Sequence, residues 1–305
     1  VSTGKLSDTA EHPVVPAAQV APPDAVTTRV QVDLGAATHP GLTRPNNEDC
    51  YLVGRVERAL QVVGTNLPPA YGAGRSEEVA YGLLVADGLG GSAAGEVASR
   101  LAVASFVNLV LQTPDWVLRV EEPEVERVME RMADRFRRVG AALAERAAAS
   151  PALAGMATTL TMVCTTGPEV VLAHVGDSRA YLHRGGDLIR LTRDHTFSQD
   201  LADAGVIRQG DVDTHRYRHV LTRALGSQGS DVRVDVARVG LRDGDALLLC
   251  TDGLTGMVPE PTIAAVLAGR PSQEACDALV AAALAAGGKD NVTAVLARYR
   301  FPPYA

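Results

Sequence analysis

The chain has 305 residues, of which 46% are hydrophobic, 21% charged and only 4% aromatic; that makes one large domain or two small ones, with a core of mostly Val, Leu and Ala. A formal net charge of −7 with no long Lys/Arg cluster excludes a nucleic-acid binder, which gains affinity by neutralising phosphates. Cys50, Cys164, Cys250 and Cys276 sit in apolar runs with no C-x-x-C pair, a pattern for reduced thiols rather than disulfides or zinc. With no signal pattern at the start and no run near 18 uninterrupted apolar residues, the expectation is a cytoplasmic protein without a membrane span.

Residues 1–27 are rich in Pro and Ala without a sustained period, which reads as a flexible tail. Strand-like text begins at Arg29 with TRVQVDLGAAT, then CYLVG, RALQVVG and the apolar run YGLLVAD. The segment Asn66–Glu78, with Pro68, Pro69, Gly72 and Gly74, reads as a hairpin loop or small insertion. Two helical stretches follow, AAGEVASRLAVASFVNLVLQ and EEPEVERVMERMADRFRRVGAALAERAAA, the second opening on acidic residues that suit a helix N-terminus. Past Gly155 come ATTLTMVCTTG, EVVLAHVGD and RAYLHRGG as strands, the first two joined by a Gly167-Pro168 turn. Residues 194–230 are polar and irregular, with short helical pieces such as SQDLADAG. VRVDVARV and DALLLCTDG read as strands, PTIAAVLAG and PSQEACDALVAAALAAG as helices, and NVTAVLARYR as a last strand. Consecutive hairpins with helices arriving in pairs predict an α+β fold: two mainly antiparallel sheets face to face, with helix layers outside.

Four aspartates stand at the ends of strongly apolar strand-like runs: Asp87 in LLVADG, Asp177 in LAHVGDS, Asp252 in LLLCTDG and Asp290 in GKDNVTAVL. Glu48 and Asp49 precede another. Any one of these has an ordinary explanation, because Asp before Gly favours a turn. Together they ask for a cation, since clustered carboxylates repel and are costly to bury unpaired. Oxygen-only ligands point to a hard ion, Mg²⁺ or Mn²⁺. Two such ions, roughly 3.5–4 Å apart, can share a water and turn it into a nucleophile near neutral pH. His195, His215 and His219 fall in the irregular stretch and read as surface or loop groups, and His174 as a structural strand residue.

The segment DGLGGSAAGE also contains a G-x-G-x-x-A after a strand and before a helix. As a dinucleotide fingerprint it fails twice. Asp87 would oppose the pyrophosphate, and no acidic residue follows about twenty positions on. There is no G-x-x-x-x-G-K-[ST] loop and no C-x-x-x-x-x-R spacing.

The ordered set Arg44-Pro-Asn-Asn-Glu48-Asp49, Ala86-Asp87-Gly88-Leu-Gly90-Gly91, Gly155-Met-Ala-Thr-Thr-Leu160, Gly176-Asp177-Ser178-Arg179, Thr251-Asp252-Gly253 and Asp290-Asn291-Val292-Thr293 resembles the metal-dependent protein serine/threonine phosphatases of the type-2C (PPM) family in its bacterial form. The resemblance runs from about residue 29 to 300 and implies a catalytic domain over 28–302, an α–β–β–α sandwich, and a binuclear Mn²⁺ or Mg²⁺ centre between the sheets. It implies Asp87 as a bridging ligand, the Gly88 carbonyl as a ligand of one ion, and Asp252 and Asp290 as ligands of the other. Asp177 matches the ligand of a third, weaker ion. Glu48 and Asp49 would orient metal-bound waters, and Arg44 would bind phosphate through its fork of donors. The implied substrates are phosphorylated proteins, serine/threonine kinases among them, acted on by a monomer. Residues 194–230 correspond to the family's variable flap beside the active site, a place for substrate selection. Leu89 stands where many eukaryotic members carry histidine after Asp-Gly, which leaves a metal-bound water to protonate the leaving oxygen. The alternative is a catalytically inactive fold serving as a regulatory or binding module, against which the intact acidic set argues.

Overall fold

Strands that read as unbroken apolar runs do so here because both of their faces are covered. The computed structural model describes residues 30–61, 63, 75–90, 94–112, 124–227 and 232–301. In chain order the elements are β1 (Gln31–His39), β2 (Asp49–Gln61), β3 (Arg75–Leu89), α1 (Ala94–Leu111), α2 (Glu124–Ala149), β4 (Ala157–Thr158), β5 (Leu160–Thr166), β6 (Glu169–Val175), β7 (Arg179–Arg184), β8 (Asp187–Arg190), α3 (Phe197–Asp203), β9 (Asp235–Gly240), β10 (Ala246–Cys250), α4 (Asp252–Thr255), α5 (Glu260–Leu267), α6 (Ser272–Ala285) and β11 (Val292–Arg300). By contacts the chain divides into residues 1–27 with 58–78, and residues 28–57 with 79–305. The second unit contains Glu48, Asp49, Asp87, Asp177, Asp252 and Asp290 and, among the described residues, every α-helix.

One sheet runs β1-β11-β10-β7-β8 and the other β2-β3-β5-β6-β9, with β4 paired to β3. Neighbours whose register is defined are antiparallel. The period of two sorts side chains cleanly. Leu83 and Val85 of β3, Leu247 and Leu249 of β10, and Val295 and Ala297 of β11 meet between the sheets. Their chain neighbours Leu84 and Ala86 turn to the other face and pack with Ala98, Phe106, Phe136 and Leu143 of α1 and α2. On the far side Leu248, Cys250, Ala294 and Leu296 pack under Ile263, Leu267, Leu279 and Ala283 of α5 and α6. The four layers are thus α–β–β–α. Each fully buried Leu or Phe side chain contributes about 1.5–3 kcal/mol, and three contiguous clusters hold the strand ends where the acidic residues lie. α2 buries Met132, Phe136, Val139 and Leu143 at helical spacing, and Phe136 meets Phe106 of α1 edge-on at 6.0 Å.

Some expectations need amending. CYLVG and the first four residues of RALQVVG belong to one strand, β2. Residues 75–78 of the supposed insertion are already strand β3, and 66–74 lie outside the described residues, as do the tail 1–27 and the acidic 121–123. The run VRVDVARV forms strand only from Asp235. β8 and α4, four residues each, are too short to show a period. α1 is long and apolar enough to cross a membrane by length and composition, with a mean hydropathy of 1.4. Its Ala98, Ala102, Val103 and Phe106 lie in the core, so it serves the fold as a core helix.

Candidate active site

The aspartates sit where they do because strands end there and other elements grip the ends. At the end of β3, the Asp87 amide donates to Thr159 Oγ1 at 2.9 Å. Its carbonyl accepts from the Thr159 amide at 2.9 Å and from Thr158 Oγ1 at 2.8 Å. The hydroxyls of Thr159 and Ser178 are 2.9 Å apart, which ties β3 to the turn carrying Asp177. The Gly155–Leu160 and Gly176–Arg179 motifs therefore supply the clamps that set Asp87 and Asp177 side by side. A side chain at Gly88 would overlap the Gly95 carbonyl at the start of α1. The Gly88 amide donates to the Glu48 carbonyl at 3.2 Å. Only glycine lets β3, α1 and the loop before β2 approach this closely.

The second half of the site is organised by Asn291, 5% exposed. Its Oδ1 accepts from the Glu48 amide at 2.8 Å, and its Nδ2 donates to the Pro40 and Asn46 carbonyls at 2.9 and 2.8 Å. The loop bearing Arg44 and Glu48 is thereby bound to the start of β11. Asp290 Oδ1 accepts from the Asn291 amide at 2.9 Å, and Oδ2 from Arg44 Nη2 at 2.8 Å. Asp252 opens α4 directly after β10, and a side chain at Gly253 would overlap the Asn291 carbonyl. The Thr-Asp-Gly and Asp-Asn-Val-Thr motifs are thus two sides of one contact. Asp49 lies behind the others. Its Oδ2 accepts from Thr251 Oγ1 at 2.8 Å and Thr293 Oγ1 at 2.6 Å, while its buried Oδ1 has no protein partner.

Arg44, Glu48, Asp87, Gly88, Asp177, Asp252 and Asp290 line one cavity of about 660 Å³, with Lys289 also in its wall. Seven of the eight residues singled out in the sequence therefore converge, and Asp49 supports them from beneath. The electrostatics are those of crowded carboxylates. Burial pushes the Asp87 carboxyl well above its ordinary range, and Asp49, Asp252, Asp177 and Asp290 push it further. Asp177 is raised by burial and then by Asp252 and Asp194. Burial takes Asp49 to about 7 against the pull of its two threonine hydrogen bonds. Among the described residues no three carboxylate, imidazole or thiol groups close on a common point. The donor set nevertheless fits hard cations: oxygen-only and strongly anionic, with the Gly88 backbone in the wall and a bare carboxylate oxygen on Asp49 beneath it.

One histidine departs from the sequence reading, and a second gains a place in the site. His195 is 4% exposed, not a surface group. Its Nδ1 accepts from the Gly176 amide at 3.1 Å, its Nε2 meets Asp235 Oδ2 at 3.1 Å, and its ring lies 4.8 Å from that of His174. It braces the turn that carries Asp177. Burial lowers its basicity and takes His174 down to about 3, in keeping with the structural role expected of His174. His219 is exposed yet lines the cavity, with Nδ1 3.5 Å from Asp252 Oδ2. A histidine thus reaches the cavity from the 194–230 segment, although Leu89 replaces the one expected after Asp-Gly. Arg179 anchors that segment, donating to Asp194 Oδ2 at 2.7 Å and Asp213 Oδ1 at 2.7 Å.

Known proteins resemble this chain in both sequence and fold. The family profile described as protein phosphatase 2C matches residues 70–296, beginning beyond Arg44, Glu48 and Asp49. The serine/threonine protein phosphatase PstP of Mycobacterium tuberculosis is 38% identical over 215 residues, which are 70% of this chain and 40% of that protein; the chain spans less than half of that relative's length. The serine/threonine phosphatase stp of Listeria welshimeri is 37% identical over 215 residues, 70% of this chain and 82% of that protein. The catalytic domain of PstP, solved in complex with two manganese ions, superposes with a TM-score of 0.69 at 32% identity, covering 89% of this chain and 99% of that one. On the profile match, which takes in more than half of its length, the chain belongs to the protein phosphatase 2C family.

Proposed function

We propose that this chain is a metal-dependent protein serine/threonine phosphatase, hydrolysing phosphoserine and phosphothreonine monoesters on proteins. The observation that carries the reading is the convergence of Asp87, Asp177, Asp252 and Asp290 on one cavity with Arg44 in its wall. Asp87, the Gly88 carbonyl, Asp252 and Asp290 would hold a pair of Mn²⁺ or Mg²⁺ ions, and Asp177 with Asp252 a third. When bound, such ions neutralise the carboxylates and supply Lewis-acid activation of water and phosphoryl oxygens.

The chain's own groups do the rest. Arg44 is half exposed and spends its fork on one oxygen of Asp290, so it is free to turn toward a phosphate and bind two of its oxygens. Glu48 reaches the cavity on a loop fixed by Asn291, where its carboxylate orients water. Asp49, gripped by Thr251 and Thr293, sets the floor. The four cysteines are all unpaired, which supports a reducing, cytoplasmic setting. We further propose that serine/threonine kinases are among its substrates and that the chain acts as a monomer.

The test is turnover of a phosphothreonine peptide by enzyme stripped with EDTA and then given Mn²⁺. Activity should vanish and return. Full turnover without metal would refute the mechanism, and none in either state would favour the inactive binding module.

A further inference from the structure

The acidic cavity has a basic neighbour. Residues 215–219 read His-Arg-Tyr-Arg-His; Arg218 and His219 line a second cavity of about 330 Å³ whose wall also includes Asp177, Arg179, Asp213 and Asp252, and Arg216 stands two residues before Arg218, outside that wall. Asp177, His219 and Asp252 belong to both cavities, so the two are continuous across them. The segment is fixed in place. The Tyr217 ring lies edge-on to Phe197 and to His215, each at 5.4 Å, and the Arg218 and Val220 amides donate to the His215 and Tyr217 carbonyls at 3.1 Å. The Arg216 guanidinium stacks over Tyr217 at 4.4 Å, which limits the freedom it would lose on binding.

The nearby acids are already engaged elsewhere. Asp211 pairs with Arg208, Asp213 with Arg179 and Asp203 with Arg193. Both Arg216 and Arg218 are exposed, and among the described residues neither has a carboxylate at ion-pair distance. Of the other cations in the catalytic cavity, Arg44 is paired with Asp290, and Lys289 lies in the wall. An anionic group next to a scissile phosphate is attracted toward the unpaired arginines of this segment.

We propose that Arg216 and Arg218 form a second anion subsite, which takes a carboxylate or phosphate side chain within a few residues of the phosphoserine or phosphothreonine being hydrolysed. The subsite rests on the phosphatase reading and names its substrate class: phosphoproteins whose target residue has an acidic or phosphorylated neighbour. Alternate side chains of an extended peptide fall on the same side, so a neighbour two positions away can face the flap while the target residue enters the metal cavity.

The experiment uses three phosphothreonine peptides of one sequence, carrying at the second position from the target a neutral residue, a glutamate or a non-hydrolysable phosphonate. For the Mn²⁺-loaded wild type, kcat/KM should rise about tenfold from the neutral to the glutamate peptide and further for the phosphonate. The gain should lie mostly in KM and shrink as salt is added. In R216Q/R218Q the ratio should fall to within about twofold of unity, and in R216E/R218E it should invert. Because the readout is a ratio between peptides, a general loss of folded enzyme does not mimic the effect. A ratio of one in the wild type, or one preserved in R216Q/R218Q, overturns the subsite. Absence of turnover on all three peptides overturns the phosphatase reading and the subsite with it.

Discussion

Replacing Asn291 with alanine isolates the residue that joins the two halves of the site. The amide makes three hydrogen bonds, to the Glu48 N–H and to the Pro40 and Asn46 carbonyls, all at 2.8–2.9 Å. At about 1 kcal/mol net for each, their loss costs about 3 kcal/mol, and more if water fails to reach the stranded groups. For a domain of this size that lowers Tm by about 6–12 °C. The midpoint in guanidinium chloride should fall with an unchanged slope, since the amount of surface exposed on unfolding is the same. Turnover should be lost well below the new Tm, because the loop bearing Arg44 and Glu48 loses its anchor. Asn291→Asp gives a sharper comparison. It keeps an acceptor for the Glu48 amide but faces two carbonyls with a carboxylate, so it should destabilise more than alanine does. A loss below about 1 kcal/mol for Asn291→Ala, or an aspartate variant more stable than the alanine one, would refute the reasoning.

Asp252→Asn keeps the shape of the site and removes one charge from a centre that must balance two dications, so kcat should fall by about a hundredfold or more with the fold intact by circular dichroism; activity within about threefold of wild type removes Asp252 from the ligand set. Arg44→Ala should raise KM, and should lower kcat as well if the phosphate contact strengthens in the transition state; unchanged kinetics would mean another group holds the phosphate. For the metal-free protein, Asp49 titrates near 7 when folded against 3.8 when unfolded, and Asp87 and Asp177 are raised likewise, so the folded state binds more protons and loses stability as pH rises through that range. His174 and His195 are depressed and act oppositely, but only below about pH 6.5. Between pH 6.5 and 8.5 the Tm in EDTA should therefore drop, and a flat or rising Tm contradicts the carboxylate crowding.

The layered fold was legible because the strands alternate between two buried faces. Runs such as Leu247–Cys250 and Leu83–Ala86 read as continuous apolar text that ends on an aspartate, and both pieces of information are local. The motif letters were legible for the same reason, but their purposes were not. Thr158, Thr159, Thr251 and Thr293 look like ordinary strand residues; their work is done through hydrogen bonds to Asp87 and Asp49, 71 to 244 positions away in the chain. Asn291 and His195 were missed on similar grounds, since their partners at Glu48 and Gly176 come from other elements. His219 looked like a loop histidine and is one, with nothing in its neighbours to show that the loop turns over Asp252. β8 and α4 escaped because four residues carry no period.

The site also has a stability cost that its surroundings are built to bear. Six carboxylates, those of Glu48, Asp49, Asp87, Asp177, Asp252 and Asp290, are gathered around one cavity, and burial alone raises several of them. A chain free to relax would let them spread. Here five are held through their backbone, Asp87 between Thr158 and Thr159, Asp177 on a turn braced by His195 and Ser178, Asp290 and Glu48 on either side of Asn291, and Asp252 where Gly253 fits against β11, while Asp49 is gripped at its carboxylate by Thr251 and Thr293. Behind those backbones lie the three apolar clusters, whose burial does not depend on the charge in the cavity. The repulsion therefore stays in place as a standing affinity for cations, and binding them returns the stability that the cluster costs.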